Sequence, residues 1–166
     1  MDRTCLVTIF TNGTLEDFES GNFNSIPWEL SGNTDWTIDS SESAEGVYSA
    51  RSGNIGSNQS SQLSISIEST DPGTISFYKK ISCESTGSVT GNYYDFLSFY
   101  IDGIEQNKWA GEVSWSQNSF PVSIGEHTFT WKFIKDQAVT AGQDAAWIDN
   151  IIFPPSYYIS ILYGDV

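Results

Sequence analysis

Apolar and polar residues alternate along most of this 166-residue chain, in short stretches that recur about every ten residues. Stretches such as QLSISIE (62–68) and HTFTWKFIK (127–135) are rich in β-branched and aromatic residues. Because successive side chains of a strand point to opposite faces, this pattern is typical of half-buried β-strands. It predicts an all-β fold of two stacked antiparallel sheets, with no helix of convincing length.

The pattern predicts twelve strands: CLVTIF (5–10), TLEDFE (14–19), WTID (36–39), GVYSARS (46–52), QLSISIE (62–68), GTISFYKKIS (73–82), YDFLSFYID (94–102), GEVSW (111–115), SFPVSI (119–124), HTFTWKFIK (127–135), AAWIDNIIF (145–153) and YYISILYG (157–164). Asn12-Gly13 separates the first two strands. This dipeptide favours a tight type I′ turn, so we expect the first strand to fold back on the second.

Alternation also assigns residues to the faces of the strands. The inner face receives Leu63, Ile65, Ile67, Ile75, Phe77, Phe129, Trp131 and Phe133. The strand pattern also predicts core positions for Trp36, Trp115, Trp131 and Trp147. The core therefore uses most of the aromatic residues, which leaves few of them for ligand binding.

The charge balance excludes some partners. Seven Lys and Arg stand against 21 Asp and Glu, which gives a net charge of −14. Such a field repels phosphate backbones, so we expect no nucleic acid partner and no anionic membrane surface. No apolar run is long enough to span a bilayer as a helix, so we expect no membrane insertion. Acidic, lysine-poor chains rich in Ser, Thr and Asn are common outside cells, which favours an extracellular or cell-surface location.

The residues offer little for catalysis. Nucleophilic catalysis by Ser or Cys with a His base needs a histidine in reach, and the chain has one, His127, beside a turn at the start of a strand. One His and two distant cysteines, Cys5 and Cys83, make zinc binding a poor fit. These cysteines allow one disulfide at most or two free thiols. A glycosidase needs two carboxylates only, and the sequence does not exclude one. We nevertheless predict that the protein is not an enzyme.

The stretch DAAWIDNIIF (144–153) contains a polar pair, Asp149 and Asn150, inside an apolar strand. Strict alternation puts Asp149 on one face and Asn150 on the other. Burying an ionised carboxylate costs several kcal/mol unless it is paired, hydrogen-bonded or bound to a metal. Asp149 therefore requires a partner, and Asn150 is expected to be its hydrogen-bonding neighbour.

Several phrases together resemble a known family: LEDFESG, WTID, EGVYSARSG, NQSSQLSISI, GTISFYKKIS, DFLSFYIDG, GEVSW, HTFTWKFIKD and DAAWIDNIIFP. They are similar to the jelly-roll modules of bacterial secreted and surface proteins, akin to the cleaved-adhesin domains of gingipain-type proteases, and distantly to MAM domains. The resemblance covers roughly 15–154. It implies an antiparallel jelly-roll β-sandwich in which the first and last strands meet, with a structural calcium near their junction.

The resemblance implies which residues hold the calcium. Glu16, Asp17 and Glu19 come from the early acidic run and Asp149 from the late strand. Asp39 and Ser49 are weaker candidates for further oxygen ligands. Calcium takes six to eight oxygen ligands from carboxylates, carbonyls and water. The alternative is that the three early residues are solvated and Asp149 accepts backbone hydrogen bonds.

The chain is predicted to be a single domain, 1–166, with a family-like core at 15–154 and extra strands at 1–13 and 156–166. Each extra strand either extends a sheet of this domain or pairs with a neighbouring domain or subunit. Self-assembly through these strands, as in a filament or surface-layer subunit, is the alternative function.

The main functional prediction is a non-catalytic, calcium-stabilised module for adhesion or carbohydrate binding. Its partner would be a glycan or a cell-surface protein. Sugar rings stack on flat exposed aromatic side chains, and the candidates in loops and turns are Trp28, Tyr93, Tyr94 and Trp109. For Trp109 the alternative is a ring packed flat on the edge of the sandwich.

Overall fold

The computed structural model describes residues 4–10, 15–86 and 91–162. Thirteen strands and no helix occur in these parts of the chain. The strands are β1 (Thr4–Phe10), β2 (Leu15–Glu16), β3 (Glu29–Gly32), β4 (Thr37–Asp39), β5 (Ser49–Arg51), β6 (Ser60–Ser69), β7 (Gly73–Ser82), β8 (Phe96–Ile101), β9 (Ile104–Trp109), β10 (Glu112–Val122), β11 (Gly125–Ile134), β12 (Ala145–Ile152) and β13 (Ser156–Leu162).

The strands form two antiparallel sheets. The first sheet has the order β1-β13-β6-β11-β8-β9, and β3 also pairs with β6. The second has the order β10-β7-β12-β5-β4, and β2 pairs with β12. Phe77 of the second sheet meets Phe99 and Trp131 of the first, with ring centroids 4.8 and 5.2 Å apart. The predicted antiparallel jelly-roll β-sandwich is confirmed.

The core lies between the two sheets and follows the predicted inner faces. All eight residues that alternation assigned to the core are buried: Leu63, Ile65, Ile67, Ile75, Phe77, Phe129, Trp131 and Phe133. Trp36 is also buried, as predicted. Trp115 is only half-buried, so its predicted core position is wrong. It lies on β10, an edge strand, next to a register shift between Val113 and Ser116.

Local backbone conformation explains where the predicted strands differ from the observed ones. The second strand stops at Glu16 because Phe18 has a left-handed φ of 59° and its N–H donates to the Glu16 carboxylate. The strands β3 and β9 were not predicted, since ELSG and IEQNKW show no apolar alternation. Two predicted strands merge into β10, which contains Pro121. A proline is tolerated there because β10 is at the edge of its sheet.

The two extra strands pair with each other. Thr4 lies opposite Leu162 and Phe10 opposite Ser156, and β13 continues into the first sheet by pairing with β6. The first strand therefore does not fold back on the second, and the predicted hairpin is wrong. The Asn12-Gly13 turn itself lies outside the described residues. β1 pairs with β13 because their alternating stretches match over seven residues each, whereas β2 is too short to hold it.

The strand β12 contains a bulge at the polar pair. Its register with β7 shifts between Asp149 and Ile152, and Asn150 has a left-handed φ of 45°. The shift turns Ile151 into the core, where it is fully buried, and leaves Ile152 36% exposed. The strict alternation predicted for this strand is therefore wrong after Asp149. Asn is one of the few residues that adopt this conformation readily.

Cys83 is a free, buried cysteine, and the side chain of Cys5 lies outside what the structure describes. Among the described ranges, none contains a helix long and apolar enough to cross a membrane.

Candidate functional site

Two of the four predicted calcium ligands meet at one loop, 42–48, between β4 and β5. Glu19 Oε1 accepts hydrogen bonds from the backbone N–H groups of Val47 and Tyr48, each at 2.8 Å. Asp149 Oδ2 accepts from the N–H groups of Ala44 and Glu45 at 2.8 and 3.3 Å. The loop is therefore held from both sides by carboxylates that come from the early and late parts of the chain.

Asp149 is fully buried in this arrangement. Its second oxygen, Oδ1, accepts from the N–H of Asn150 at 2.8 Å. Burial raises the pKa of Asp149 to about 6; the three N–H donors oppose this rise, and the charge of Glu19 adds to it. Hydrogen bonds therefore only partly compensate the buried charge of Asp149, and the charge of Glu19 repels it.

The other predicted ligands have different neighbours. Glu16 is buried and accepts from Phe18 N–H, Ser25 Oγ and Trp28 Nε1 at 2.9, 3.0 and 3.3 Å. Asp17 Oδ1 accepts from the N–H of Glu19 at 3.1 Å. The two weaker candidates, Asp39 and Ser49, also form hydrogen bonds near the loop. Asp39 accepts from Trp147 Nε1, and Ser49 donates to the Glu42 carbonyl.

Among the aromatic candidates, Trp28 lies in the core. It is 9% exposed, and its ring meets Phe18, Trp131 and Phe153 at centroid distances of 5.9, 5.8 and 6.4 Å. These contacts occupy the ring, so the structure leaves no free face of Trp28 for a sugar.

Trp109 lies at the edge strand β9 and faces into the sandwich. It is opposite the buried residue Leu97, and its ring stands at 88° to that of Phe77. Lys79 Nζ lies 4.7 Å from the centroid of the Trp109 ring and 3.0 Å from Ser116 Oγ. Lys79 is only 3% exposed and makes no ion pair with a described carboxylate. Burial lowers its pKa. Half-buried Trp109 therefore covers an uncompensated ammonium group.

Tyr93 and Tyr94 precede β8, and both are half-buried. The Tyr93 ring packs edge-on against Phe96 at 5.7 Å, and Lys108 Nζ lies 4.8 Å from its centroid. Lys108 precedes Trp109 in β9, so the two side chains take opposite faces of the strand. The edge of the first sheet thus carries one aromatic residue on each side. We call Tyr93, Lys79, Lys108 and Trp109 the edge cluster.

The outer face of the second sheet carries a group that sequence analysis missed. Trp147 is buried as predicted, but not in the interior: it lies opposite Lys80 and Arg51 on the neighbouring strands. Their cationic groups lie 5.4 and 5.6 Å from its ring centroid. Lys80 in turn pairs with Glu42. The side chains of Lys80 and Arg51 shield Trp147 from solvent. Alternation in the sequence does not distinguish a residue buried in this way from a residue of the core.

His127 takes part in an arrangement that resembles a catalytic triad. Its Nδ1 lies 2.7 Å from Asp102 Oδ2, and its Nε2 lies 3.3 Å from Ser123 Oγ. However, Nε2 is closer to the Ser123 carbonyl oxygen, at 2.9 Å. Both ring nitrogens therefore face oxygen acceptors, Asp102 Oδ2 and the Ser123 carbonyl, and Ser123 Oγ is not the nearest partner of Nε2. The arrangement instead joins the turn after β8 to the start of β11.

A second group of acids was also missed by sequence analysis. Glu84, Asp95 and Asp136 each offer a carboxylate oxygen within 4.8 Å of the others, and this group could hold a metal ion. No other group of three such side chains occurs in the residues that the structure describes. Burial raises the pKa of Asp95, although the N–H of Asp136 and the charge of Lys135 oppose the rise. The three residues are not close together in the sequence, so no local sequence motif predicts that their carboxylates meet.

No protein-family model matches the chain, and no curated protein matches it in sequence. Solved structures match its fold. A carbohydrate-binding module, TmCBM61 in complex with β-1,4-galactotriose, is 17% identical with a TM-score of 0.55, covering 88% of this chain and 94% of the module. The CBM22-1 xylan-binding domain of Xyn10C from Paenibacillus barcinonensis is 15% identical with a TM-score of 0.54, covering 94% and 99%.

The K3 cleaved adhesin domain of Lys-gingipain from Porphyromonas gingivalis is 11% identical with a TM-score of 0.58, covering 84% of this chain and 97% of the domain. The resemblance to cleaved-adhesin domains is thus confirmed at the level of the fold. All three likenesses extend over nearly the whole of the compared domains.

Proposed function

We propose that this protein is a non-catalytic carbohydrate-binding module that binds its glycan at the edge cluster. The observation that carries the proposal is the pairing of half-buried aromatic rings with amino groups on both sides of the edge strand β9. Trp109 lies with Lys79 on the inner side, and Tyr93 lies with Lys108 on the outer side. Sugar rings stack on aromatic faces, and the half-buried Lys108 offers an ammonium group that can donate hydrogen bonds to hydroxyls.

The whole-length likeness to solved carbohydrate-binding modules supports this proposal. The chain has the dimensions of those modules, and two of them are described as binding xylan or β-1,4-galactotriose. The geometry at His127 supports a role without catalysis, since its Nε2 faces a carbonyl oxygen. A module of this kind acts on the cell surface or outside the cell, which agrees with the acidic composition.

The test is a glycan array followed by titration of the full chain with xylan and β-1,4-galactotriose. We expect Tyr93→Ala to weaken binding about tenfold or more, equivalent to roughly 1.4 kcal/mol. Tyr100→Ala is the matched control, because Tyr100 is also half-buried on the first sheet but lies outside the edge cluster. Absence of binding to every glycan on the array would overturn the proposal, and equal losses in both variants would move the site elsewhere.

We further propose that calcium stabilises the module at loop 42–48, with Glu19 and Asp149 as its carboxylate ligands. Both groups point at the same loop, and each repels the other without a cation. Asp17, which accepts one hydrogen bond from the N–H of Glu19, can add an oxygen. Glu16 accepts from Phe18, Ser25 and Trp28 and from no residue of the loop, so it is left out of the ligand set. Backbone carbonyls and water complete the oxygen shell that calcium prefers.

Self-assembly through the terminal strands is a second candidate function, favoured by the pairing of β1 with β13. β1 is the outermost strand of the first sheet, and no described strand pairs with its other edge. Such an edge presents N–H and C=O groups to a strand of another molecule. A second copy of this chain offers a strand of matching length.

This second function is tested by the mass of the protein in solution as a function of concentration. Assembly predicts a mass that rises with concentration and becomes constant at the monomer value when 156–166 are deleted. Ile104→Ser, which removes an apolar side chain that is 67% exposed elsewhere, should leave the assembly unchanged. A monomer at all concentrations contradicts assembly without affecting the glycan proposal.

A further inference from the structure

Three carboxylates converge at the end of the sandwich where three strands begin or end. Glu84 follows β7, Asp95 precedes β8 and Asp136 follows β11. Each has an oxygen within 4.8 Å of the other two. None of them forms an ion pair with a described basic residue. Lys135 pairs with Asp144, and its charge acts on Asp95 only from beyond ion-pair distance. Three like charges therefore meet with only this partial compensation.

The hydrogen bonds of this group are incomplete. Asp95 is fully buried, and its Oδ1 accepts from the N–H of Asp136 at 3.0 Å. Its Oδ2 is buried and accepts no hydrogen bond, and Glu84 Oε2 is in the same condition. Buried carboxylate oxygens are normally satisfied, so two such atoms in one acidic group point to a missing positive ligand.

We propose that Glu84, Asp95 and Asp136 bind a calcium ion at a site separate from loop 42–48. The donors are carboxylate oxygens, which favour a hard divalent cation over zinc or copper. The one nearby sulfur, Cys83 Sγ, donates to the carbonyl oxygens of Asp95 and Glu84 at 3.3 and 3.6 Å, so it is no thiolate ligand. Calcium suits carboxylates from three elements because it accepts irregular geometry and water.

This ion would join the two sheets. Glu84 extends from the second sheet, whereas Asp95 and Asp136 extend from the first. The Asp136 carboxylate also accepts from the N–H of Ala138 at 2.8 Å, which fixes the turn that follows β11. The proposed cation would hold the open end of the sandwich without a disulfide.

The test measures how many calcium ions the full chain binds, by equilibrium dialysis with radioactive calcium after treatment with a chelator. We expect two ions for the wild type and one for Glu84→Gln or Asp136→Asn, whose remaining site keeps its affinity. Glu29→Gln is the control, because it removes one exposed carboxylate elsewhere and should bind two ions. Near-ultraviolet circular dichroism checks that each variant is folded.

Asp149→Asn separates this inference from the calcium proposed at loop 42–48. If Asp149→Asn binds one ion and the double variant with Glu84→Gln binds none, the site at Glu84, Asp95 and Asp136 is supported. This result does not depend on whether calcium binds at loop 42–48. Wild-type stoichiometry and affinity in both folded Glu84→Gln and Asp136→Asn would overturn the inference. So would an Asp149→Asn variant that binds no calcium at all.

Discussion

Asp149 and Lys79 are two buried ionisable residues of opposite charge, and they have different neighbours. The Asp149 carboxylate receives three backbone N–H donors. The Lys79 ammonium has one hydroxyl and one aromatic ring. Neither has a described group of opposite charge as its partner, so both should contribute unfavourably to the free energy of folding while they are ionised. The stability of the protein should therefore depend on pH through Asp149 and should change when either residue is replaced by an uncharged one.

Asp149 should make the calcium-free protein less stable as the pH rises from about 4 to about 6. Its pKa is about 6 when folded and 3.8 as the ordinary value. Between these values the folded state holds more protons than the unfolded state, so the free energy of unfolding falls with increasing pH. The expected loss is on the order of 3 kcal/mol.

Urea unfolding in chelator at several pH values measures this effect. Other carboxylates also titrate in this range, so the relevant quantity is the difference between the wild type and Asp149→Asn. Asp102 is one such carboxylate, and its pKa is lowered where that of Asp149 is raised. Burial would raise the pKa of Asp102, but the Thr128 N–H and His127 hold it below its usual value. Equal slopes of wild type and variant would contradict the prediction.

Lys79→Met should stabilise the protein by about 1 kcal/mol, since a long apolar side chain replaces an ammonium that is 3% exposed. The measurement is urea unfolding at neutral pH. Lys132→Met provides the control, because Lys132 is half-buried on the other sheet and its charge remains solvated. A loss of stability in Lys79→Met would mean that the contacts with Ser116 and Trp109 outweigh the cost of burial.

The same substitution separates stability from function. If Lys79 contributes to glycan binding at the edge cluster, Lys79→Met should weaken glycan binding although it raises the stability of the fold. Such a combination distinguishes a binding residue from a structural one. Wild-type affinity in the variant would remove Lys79 from the proposed site.

At the level of elements, irregular positions decide which side chains face the core. The bulge in β12 moves Ile151 inward, and the left-handed Phe18 stops β2 after two residues. The regular strands β6, β7 and β11 follow alternation, and their inner faces were predicted correctly. A bulge shifts every later residue to the other face, so a pattern of period two fails beyond it.

The bulge gives a specific prediction for Asn150. Asn150→Gly should change the stability little, because glycine adopts a φ of 45° without strain. Asn150→Val should cost about 2 kcal/mol, because a β-branched residue is disfavoured in that conformation. Urea unfolding measures both variants, and Ile152→Val, at the neighbouring position that is 36% exposed, serves as the control. Equal stabilities of the glycine and valine variants would contradict a left-handed conformation.

For the whole molecule, the net charge of −14 favours the binding of cations. The two proposed sites, at loop 42–48 and at Glu84, Asp95 and Asp136, lie on separate connections between strands. Each gathers carboxylates from distant parts of the chain. Unfolding separates these groups, so a bound ion stabilises the folded state alone.

Calcium should therefore raise the melting temperature. At 100 times the dissociation constant, one ion adds about 2.7 kcal/mol to the free energy of unfolding. For a domain of this size that corresponds to roughly 5–10 °C. Differential scanning calorimetry with calcium and with chelator measures the shift, and Asp149→Asn should lose part of it. An unchanged melting curve in chelator would mean that calcium stabilises neither site.

Side-chain alternation was enough to predict the fold class and the inner faces of the long strands. Alternation is a local property, and it was sufficient for the residues around Phe77 and Trp131. The packing of the strands, in contrast, places Glu19 and Asp149 at one loop and Trp147 beneath Arg51 and Lys80. It also brought Glu84, Asp95 and Asp136 together. These contacts join positions up to 130 residues apart, from Glu19 to Asp149, and depend on strand order, which no local pattern of side chains contains.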